Sequence, residues 1–307
     1  MKQRSILFVC TGNTFRSMIA ECAFKKYLAD NKITGWKISS AGTIAKKARI
    51  DPKTIEAMEQ QGVNCINHKQ KKLTEEMLKK YDIIIAMGKG HKRFMDSKMG
   101  CGRSMLFNEL AINKKTSVMD INEEVKDFGI NRRAVEDKIG RTVKEIFRKT
   151  PWLFKNASER YYLFCDLVAG LRTQRKGFPF IKIYETKNSV SFMSLDIPLH
   201  EDGHILVIPK RRYLDLSEVP TNIMKEISES IQVIGTILME NHGGYNILLN
   251  NGVDAGQYIF HAHFHIIPRT YNDQIKIENW RHKNISRKEF ISLSKRLRRR
   301  ITAQSLI

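Results

Sequence analysis

The sequence lacks several features that would place the protein in other classes. No apolar run among its 307 residues is long enough to span a bilayer, which predicts a chain without a transmembrane helix. The opening MKQRSILFVCTGN has only a short apolar run before a Gly/Asn turn, which indicates a first strand and not a signal peptide. There is no internal repeat.

Cysteine is scarce. The five cysteines are scattered and odd in number, which argues against a disulfide framework and favours a reducing cytoplasm. They are Cys10, Cys22, Cys65, Cys101 and Cys165.

Positive charge is abundant but uneven, with a net charge of +21 from 53 Lys/Arg and 32 Asp/Glu. Residues 1–150 hold 31 basic and 17 acidic residues (+14), 151–279 hold 13 and 14 (−1), and 280–307 hold 9 and 1 (+8). This balance favours acidic partners, namely phosphorylated substrates, nucleic acid or an anionic surface, although a basic surface that aids solubility explains it equally. The sequence has no base-reading motif and no basic patch interleaved with aromatic residues, so the support for nucleic-acid binding is weak. In the tail, Phe290, Leu293 and Leu297 have the spacing of a short amphipathic helix.

Strand and helix patterns alternate over the first 150 residues. Strand-like apolar segments cover residues 5–10, 36–42, 81–88 and, less clearly, 104–110. Helical patterns cover residues 17–30, 51–62 and 131–150. This alternation predicts an N-terminal α/β domain, with a parallel sheet flanked by helices.

The pattern and the charge both change at PWLFKNASERYY (151–162), which predicts a linker over 151–160. Strand patterns then cover residues 180–186, 189–197, 204–210, 245–251 and 257–269, and a long amphipathic helix is predicted within 217–244. These elements predict a C-terminal α+β domain with an antiparallel sheet. The expected organisation is a domain over 1–150, the linker, a second domain over 161–279 and a basic, helical tail over 280–307.

Cys10 ends the first predicted strand, and Arg16 begins the next helix six residues later. A loop of that length can turn its backbone N–H groups inward as an anion nest, reinforced by the helix N-terminus. A cysteine at its base becomes a nucleophilic thiolate, and an arginine clamps phosphoryl oxygens. Gly12 allows close backbone approach, Asn13 tolerates a left-handed conformation, and Ser17 can hydrogen-bond the thiolate. The pattern predicts covalent phosphate chemistry; the alternative is a core cysteine beside an ordinary turn.

These residues resemble the low-molecular-weight protein tyrosine phosphatases over about the first 150 positions. The likeness includes VCTGNTFRS (9–17), SSAGT (39–43), KLTEEMLKKYDIIIAM (72–87) and Gly-His at 90–91. The resemblance implies a cysteinyl-phosphate intermediate and an aspartate as general acid. Asp120 is the best match for that acid, although Ile121 follows it where the family has proline. Asp127 and Glu123 are the alternatives.

Other loop positions bear on the substrate. Thr14 resembles the threonine of bacterial protein-arginine phosphatases, so a phosphoarginine substrate is considered beside phosphotyrosine. Phe15 stands where the family often has a second cysteine, and Met18 where proline is usual. The related arsenate reductases need two closely spaced downstream cysteines, which Cys65 and Cys101 do not provide.

His261, His263 and His265 alternate with Ala262 and Phe264. On a strand the three imidazoles would share one face. A metal site and a catalytic pocket both explain such a cluster.

The surrounding motifs resemble the histidine triad (HIT) superfamily of nucleotide hydrolases and transferases, over about residues 160–272. They are FCDLVAG (164–170), SLDIPLHEDGHILVIPKRRY (194–213), NILLNNGVDAGQ (246–257) and HAHFHIIPR (261–269). The resemblance implies that His263 attacks the α-phosphorus of a nucleoside phosphate and that water resolves the nucleotidyl-histidine. It also implies a set of nucleotide-binding residues: Asp196 for the ribose, Asn250 and Gln257 for the phosphate, and His204, His261 and His265 around the nucleophile.

Some relatives in that superfamily hold zinc through C-x-x-C and two histidines. Tyr162 occupies the first cysteine position here and leaves only Cys165, so no structural zinc is expected and no cofactor is required. The resemblance further implies a homodimer through the HIT-like domain. The chain is therefore expected to act on phosphoproteins at Cys10 and on nucleotides or nucleoside phosphoramidates at His263. The alternative is one catalytic domain beside a degenerate regulatory one.

Overall fold

The computed structural model describes residues 3–99, 103–125, 130–198, 203–277 and 286–304. Its N-terminal half is built on a parallel sheet in the order β2-β1-β3-β4. Strands β1 to β4 are Arg4–Cys10, Trp36–Gly42, Ile83–Ala86 and Met105–Leu106. Strand β3 is apolar and buried along its whole length, and β1 is so from Ile6 onward, because helices cover both faces of the sheet. This confirms the predicted α/β architecture.

Within the described part of the N-terminal half, seven helices surround this sheet. Helices α1 to α7 are Arg16–Asp30, Pro52–Glu59, Glu75–Lys80, Lys89–Lys98, Phe107–Ile112, Ile121–Glu124 and Arg132–Ala157. Within residues 104–110 only two residues form a strand, and α5 starts directly after them. The Glu109 carboxylate accepts from the Leu106 N–H at 3.1 Å, which favours a helix start over a longer strand.

The expected linker over 151–160 is helical. Helix α7 continues through Pro151 to Ala157, a π-helical turn covers Ser158–Tyr162, and helix α8 (Leu163–Val168) follows at once. A proline inside a helix costs about 3 kcal/mol. Burial offsets that cost, because Leu153 and Ala157 are fully buried in the same core as Phe24. Where one domain ends and the next begins stays a prediction.

The C-terminal half contains an antiparallel sheet in the order β10-β11-β9-β8-β7, as predicted. Strands β5 to β11 are Gln174–Arg175, Phe178–Pro179, Lys182–Glu185, Ser189–Met193, Ile205–Pro209, Gly244–Leu249 and Phe264–Arg269, of which β5 and β6 form a separate hairpin. Helix α9 (Thr221–Leu238) packs on one face beside Val207 and Ile266. On the other face, Leu206 and Ile208 pack with residues of α8.

The predicted strand over 257–269 is shorter than expected, since β11 begins only at Phe264. The amides just before it bond elsewhere: the Phe260 N–H donates to the Arg160 carbonyl at 2.6 Å and the Ala262 N–H to the Tyr213 carbonyl at 2.7 Å. Of the three histidines only His265 therefore lies in a strand. The alternation of faces persists, because Ala262 packs in the α9 core while the His263 and His265 rings lie 4.9 Å apart.

The predicted tail helix is present as α10 (Arg287–Gln304) and is longer than the spacing alone indicated. Within the part of the chain that the structure describes, no helix is both long enough and apolar enough to cross a membrane.

Candidate active sites

The loop after β1 contains the left-handed residue that was expected of it. Cys10 ends the strand almost fully buried, and α1 begins at Arg16. Asn13 has a φ of 58°, the left-handed conformation expected of it. Gly42 of β2 lies against the loop so closely that a Cβ there would sit 2.5 Å from the Thr11 carbonyl oxygen and 2.9 Å from the Asn13 nitrogen. Only glycine at 42 leaves room for this loop.

The Asn13 side chain ties the loop to its surroundings. Its Nδ2 donates to the Ser17 hydroxyl at 3.0 Å and to the Ser40 hydroxyl at 2.7 Å. Ser40 in turn donates to the buried carboxylate of Glu21 at 2.5 Å. The His68 Nε2 lies 3.0 Å from the Asn13 carbonyl. The sequence did not indicate roles for Ser40, Glu21 and His68, because these residues are distant along the chain and meet only in the fold.

The Cys10 Sγ lies 2.9 Å from the Ser17 hydroxyl. Ser17 thus occupies the position expected of a group that stabilises a thiolate. Burial raises the pKa of the Cys65 and Cys165 thiols, and that of Cys22 to about 12, so these three remain protonated at neutral pH. Cys101 lies outside the described residues.

Arg16 is buried, and its guanidinium is held by residues of the segment that precedes α6. Its Nη1 donates to the Val118 carbonyl at 2.9 Å, and its Nη2 donates to the Asp120 carboxylate. Glu123 stands farther away, 3.6 Å from Nη1 and about half exposed. The structure therefore brings Asp120 to the loop as expected and Glu123 beside it. Asp127 lies outside the described residues.

Two further residues, Thr14 and His91, contact the backbone or side chains of the loop from Cys10 to Arg16. The Thr14 hydroxyl faces Gly12, 3.4 Å from where a Cβ would sit. His91 places Nε2 2.9 Å from the Thr11 hydroxyl, and burial, with nearby Arg16, lowers its pKa to about 4. His91 is therefore a neutral partner of the loop, a role that the Gly-His pair did not reveal in the sequence.

In the second half, the position of His263 fixes its tautomer. Its Nδ1 donates to the His261 carbonyl at 2.7 Å, so its Nε2 carries the lone pair. His261 in turn donates from Nε2 to the Pro209 carbonyl at 2.7 Å. Burial lowers the pKa of His263, and that of His261 to about 3, so both rings are neutral at neutral pH.

A second chain of hydrogen bonds orients His265. The His204 Nδ1 donates to the Asp196 carbonyl at 2.5 Å, so its Nε2 accepts from the His265 Nδ1 at 2.8 Å. The His265 Nε2 is buried and has no hydrogen-bond partner among the described residues. An unsatisfied buried atom beside His263 is a position for a ligand atom. The Asp196 carboxylate itself is exposed.

The Gln257 side chain stabilises the loop before the histidines through two hydrogen bonds. Its Nε2 donates to the Leu214 carbonyl at 2.6 Å, and its Oε1 accepts from the Gly252 N–H at 2.8 Å. Both ends of the amide are occupied, so this geometry supports a role in shaping the loop that carries Asn250. Asn250 is partly exposed on that loop.

An apolar pocket adjoins the histidines. Phe164 presents its ring edge-on to His263, with ring centroids 5.5 Å apart, and it also lines this pocket. The other apolar lining residues include Leu167, Phe180, Phe192, Leu195 and Leu206. A flat aromatic group attached to a phosphate at His263 would fit against such a surface.

The residues at the position of the zinc site of some relatives do not fit a metal. The Tyr162 hydroxyl donates to Asp82 at 3.2 Å, and the Cys165 Sγ lies 3.9 Å from the His261 Nδ1. Over the described ranges, no group of three or more His, Cys, Asp or Glu side chains could hold a metal ion.

Comparisons with known proteins find two families in the chain. The family model for low molecular weight phosphotyrosine protein phosphatase matches residues 5–155, and the model for the HIT domain matches residues 176–272. A protein-arginine-phosphatase of Bacillus subtilis is 36% identical over 103 residues, 33% of this chain and 67% of that protein.

An adenosine 5′-monophosphoramidase of Schizosaccharomyces pombe is 34% identical over 140 residues, 45% of this chain and 97% of that protein. An adenylylsulfatase of Arabidopsis thaliana is 34% identical over 113 residues, 36% of this chain, and the match spans only 53% of that relative's length. A crystal structure of a mutant of YwlE from Bacillus subtilis aligns with 50% of this chain and 99% of its own, at 26% identity and a TM-score of 0.44.

Proposed function

Residues 5–155 of the chain belong to the low molecular weight phosphotyrosine protein phosphatase family and residues 176–272 to the HIT family, and from this premise we propose that the chain is a bifunctional hydrolase of phosphorus compounds. One site uses Cys10 as a protein phosphatase, and the other uses His263 as a nucleotide hydrolase. The observation that carries the proposal is that each nucleophile is held by a hydrogen bond: the Ser17 hydroxyl lies against the Cys10 sulfur, and the His261 carbonyl binds His263 through Nδ1 and leaves its Nε2 lone pair free.

At the first site the Cys10 thiolate attacks phosphorus, and a cysteinyl phosphate forms as the bond to the leaving atom breaks. Asp120 gives its proton to that leaving atom and then takes one from the water that releases phosphate and restores the thiolate. Arg16 holds the phosphoryl oxygens, and Ser17 stabilises the thiolate. Support for Asp120 as the acid comes from its position, because its carboxylate reaches the Arg16 guanidinium that would hold the phosphoryl group, whereas Glu123 stands farther away. A reactive thiolate also suits the reducing cytoplasm, which we propose as its location.

For the substrate of this site we propose protein phosphoarginine over phosphotyrosine. Thr14 faces into the loop, and the matching protein of Bacillus subtilis is a protein-arginine-phosphatase. Thr14→Ile should shift the ratio of kcat/KM values toward a phosphotyrosine peptide and away from a phosphoarginine peptide. A Thr14→Ser variant, which keeps the hydroxyl, is the control. An unchanged ratio in the isoleucine variant removes the support that Thr14 provides.

At the second site the His263 Nε2 attacks the α-phosphorus of a nucleoside phosphoramidate. The phosphorus–nitrogen bond breaks, the amine leaves after taking a proton from water, and a second water hydrolyses the nucleotidyl-histidine to a nucleoside monophosphate. His261 fixes the tautomer through its carbonyl, and His265 offers its unsatisfied Nε2 toward the ligand. The base would lie against the apolar surface at Phe164, and the exposed Asp196 carboxylate would accept hydrogen bonds from the ribose hydroxyls.

Two single substitutions separate the two activities. Cys10→Ser should abolish hydrolysis of p-nitrophenyl phosphate and leave hydrolysis of adenosine phosphoramidate unchanged, and His263→Ala should do the reverse. If the wild-type chain lacks one activity while the other is normal, that half is a regulatory binding module and the bifunctional proposal fails.

We also propose that two copies associate through the C-terminal half. Strand β10 is an edge of the sheet, and Ile247 on it and Ile237 at the end of α9 are more than half exposed. Unpaired strand edges with apolar neighbours favour association. Ile247→Glu should convert a dimer to a monomer in light scattering. A wild-type monomer at micromolar concentration would overturn the proposal.

A further inference from the structure

Helix α10 has one apolar and one basic face. Phe290, Leu293, Leu297 and Ile301 follow one another at intervals of three, four and four residues, so they form one stripe along the helix. Phe290 is 61% exposed and Leu297 is 53% exposed, although both are large apolar side chains. Ile291 flanks the stripe and is also exposed.

The rest of the helix is strongly basic. Its cations are Arg287, Lys288, Lys295, Arg296, Arg298, Arg299 and Arg300, against a single acid, Glu289. At 100° per residue, Lys288, Lys295 and Arg299 lie roughly opposite the apolar stripe. A basic face and an aromatic-aliphatic face therefore share one helix.

The helix carries its own N-terminal cap. The Ser286 N–H donates to the Glu289 carboxylate at 2.9 Å, and the Glu289 N–H donates to the Ser286 hydroxyl at 3.2 Å. This reciprocal pair satisfies the first backbone donors locally. The helix is thus stabilised by its own sequence and not only by packing.

We propose that α10 is a peripheral membrane anchor that lies in the surface of a bilayer rich in anionic lipid. The apolar stripe enters the boundary between headgroups and acyl chains, and the basic face meets the lipid phosphates and carboxylates. The helix lies on the bilayer and does not span it, in keeping with the absence of a spanning helix among the described residues.

The exposed apolar stripe favours a bilayer over nucleic acid as the partner. A helix that only neutralises phosphates gains nothing from an exposed phenylalanine and leucine, whereas bilayer insertion depends on apolar area as well as charge. Removing the apolar side chains while keeping every charge should therefore weaken binding to a bilayer but leave binding to nucleic acid unchanged.

The test uses the full chain and flotation with two kinds of vesicle: phosphatidylcholine alone, and phosphatidylcholine with phosphatidylserine at about three to one. The wild type should float with the serine-containing vesicles, weakly with the others, and less at high salt. Phe290→Ser with Leu297→Ser should reduce the partition coefficient at least about tenfold, since each removes several buried CH₂ groups. Lys295→Glu with Arg296→Glu should reduce it at least about a hundredfold.

A matched control places the same charge change elsewhere. Lys187→Glu with Lys225→Glu alters two exposed lysines of the C-terminal half and should leave flotation within about threefold of wild type. All variants should retain hydrolysis of p-nitrophenyl phosphate, which shows that they fold. The proposal is overturned if the wild type ignores anionic vesicles, if the control loses binding equally, or if the serine variant binds vesicles as the wild type does. Retention of single-stranded RNA by that same serine variant, with no vesicle binding by the wild type, would assign the helix to nucleic acid instead.

Discussion

The Arg212 guanidinium of the C-terminal half donates to the Asp82 carboxylate of the N-terminal half at 2.6 Å. Both side chains are largely buried, at 13% and 7% exposure. Ser5 and Tyr162 donate to the same carboxylate, at 2.8 and 3.2 Å, and the Arg212 guanidinium lies over the Tyr162 ring. The two halves therefore meet through a charged, hydrogen-bonded contact at the start of β3.

We expect Asp82→Asn to destabilise the whole chain. It leaves a buried guanidinium without its countercharge, which typically costs about 3–5 kcal/mol. Denaturant unfolding of the variant should show the loss in both halves at once. The exposed pair Lys115–Asp254, which also bridges the halves, provides the control: Lys115→Gln should cost less than about 1 kcal/mol. Equal costs for the two substitutions would contradict a special role for the buried pair.

Asn13 combines a backbone role with a side-chain role, and two substitutions separate them. Asn13→Ala loses both and must place an alanine at a φ of 58°, which costs about 1–2 kcal/mol. Asn13→Gly keeps the backbone shape but loses the hydrogen bonds to Ser17 and Ser40. The glycine variant should therefore be more stable than the alanine variant in thermal melts, yet lose about tenfold in phosphatase kcat/KM. Wild-type activity in the glycine variant would show that the amide is dispensable.

The leaving group distinguishes the candidate acids. Asp120→Asn should lower kcat for phenyl phosphate about 10²–10⁴-fold, because phenol leaves poorly without a proton. The loss with p-nitrophenyl phosphate should be smaller, since its leaving group needs less help. Glu123→Gln should change either substrate less than about tenfold. A larger effect of Glu123→Gln than of Asp120→Asn would transfer the acid role.

The nucleotide hydrolase should remain active on the acid side of neutrality. Burial lowers the pKa of His263, so the reactive neutral ring persists below pH 6.5. The acidic limb of kcat/KM for adenosine phosphoramidate should accordingly have an apparent pKa below 6.5. Circular dichroism at each pH verifies that the chain is still folded. A limb at or above 6.5 would show that His263 is not protected by burial in solution.

The same buried histidines predict that stability falls with acid. His261 and His265 have pKa values lowered to about 3, and His91 to about 4, so the unfolded chain binds more protons than the folded chain below pH 6.5. Each such group reduces the free energy of unfolding by up to about 1.4 kcal/mol per pH unit as pH falls from 6.5 toward the folded pKa. Melting temperatures between pH 7 and 4.5 test this. His91→Gln should flatten the dependence, and a curve as steep as wild type would exclude His91 from it.

Local pattern was sufficient to predict much of this molecule. The parallel and antiparallel sheets follow from alternation and length, and the loop from Cys10 to Arg16 follows from its spacing. The helix through Pro151 could not be predicted, because it depends on the burial of Leu153 and Ala157 against α1. The early end of β11 had the same kind of cause, since distant carbonyls at Arg160 and Tyr213 take the amides before it.

The candidate site residues show the same contrast between what local sequence indicates and what depends on distant contacts. Candidate residues that are close in sequence, such as His261 and His263, can be predicted from their spacing alone. Partners that converge from distant parts of the chain, such as Ser40 and His68 around Asn13, cannot be identified in this way, because nothing in a single sequence records that convergence. The occupied amide of Gln257 likewise became visible only with Leu214 and Gly252 in place.

Helix α7, the π-helical turn and α8 form one helical run from Arg132 to Val168, which leads from the half that holds Cys10 into the half that holds His263. Because Cys10 and His263 lie on one polypeptide, they are always produced in equal numbers. A cell cannot change the amount of one site without changing the amount of the other. Independent control of the two proposed reactions would therefore come from substrate supply or from changes at the sites themselves, and not from gene expression.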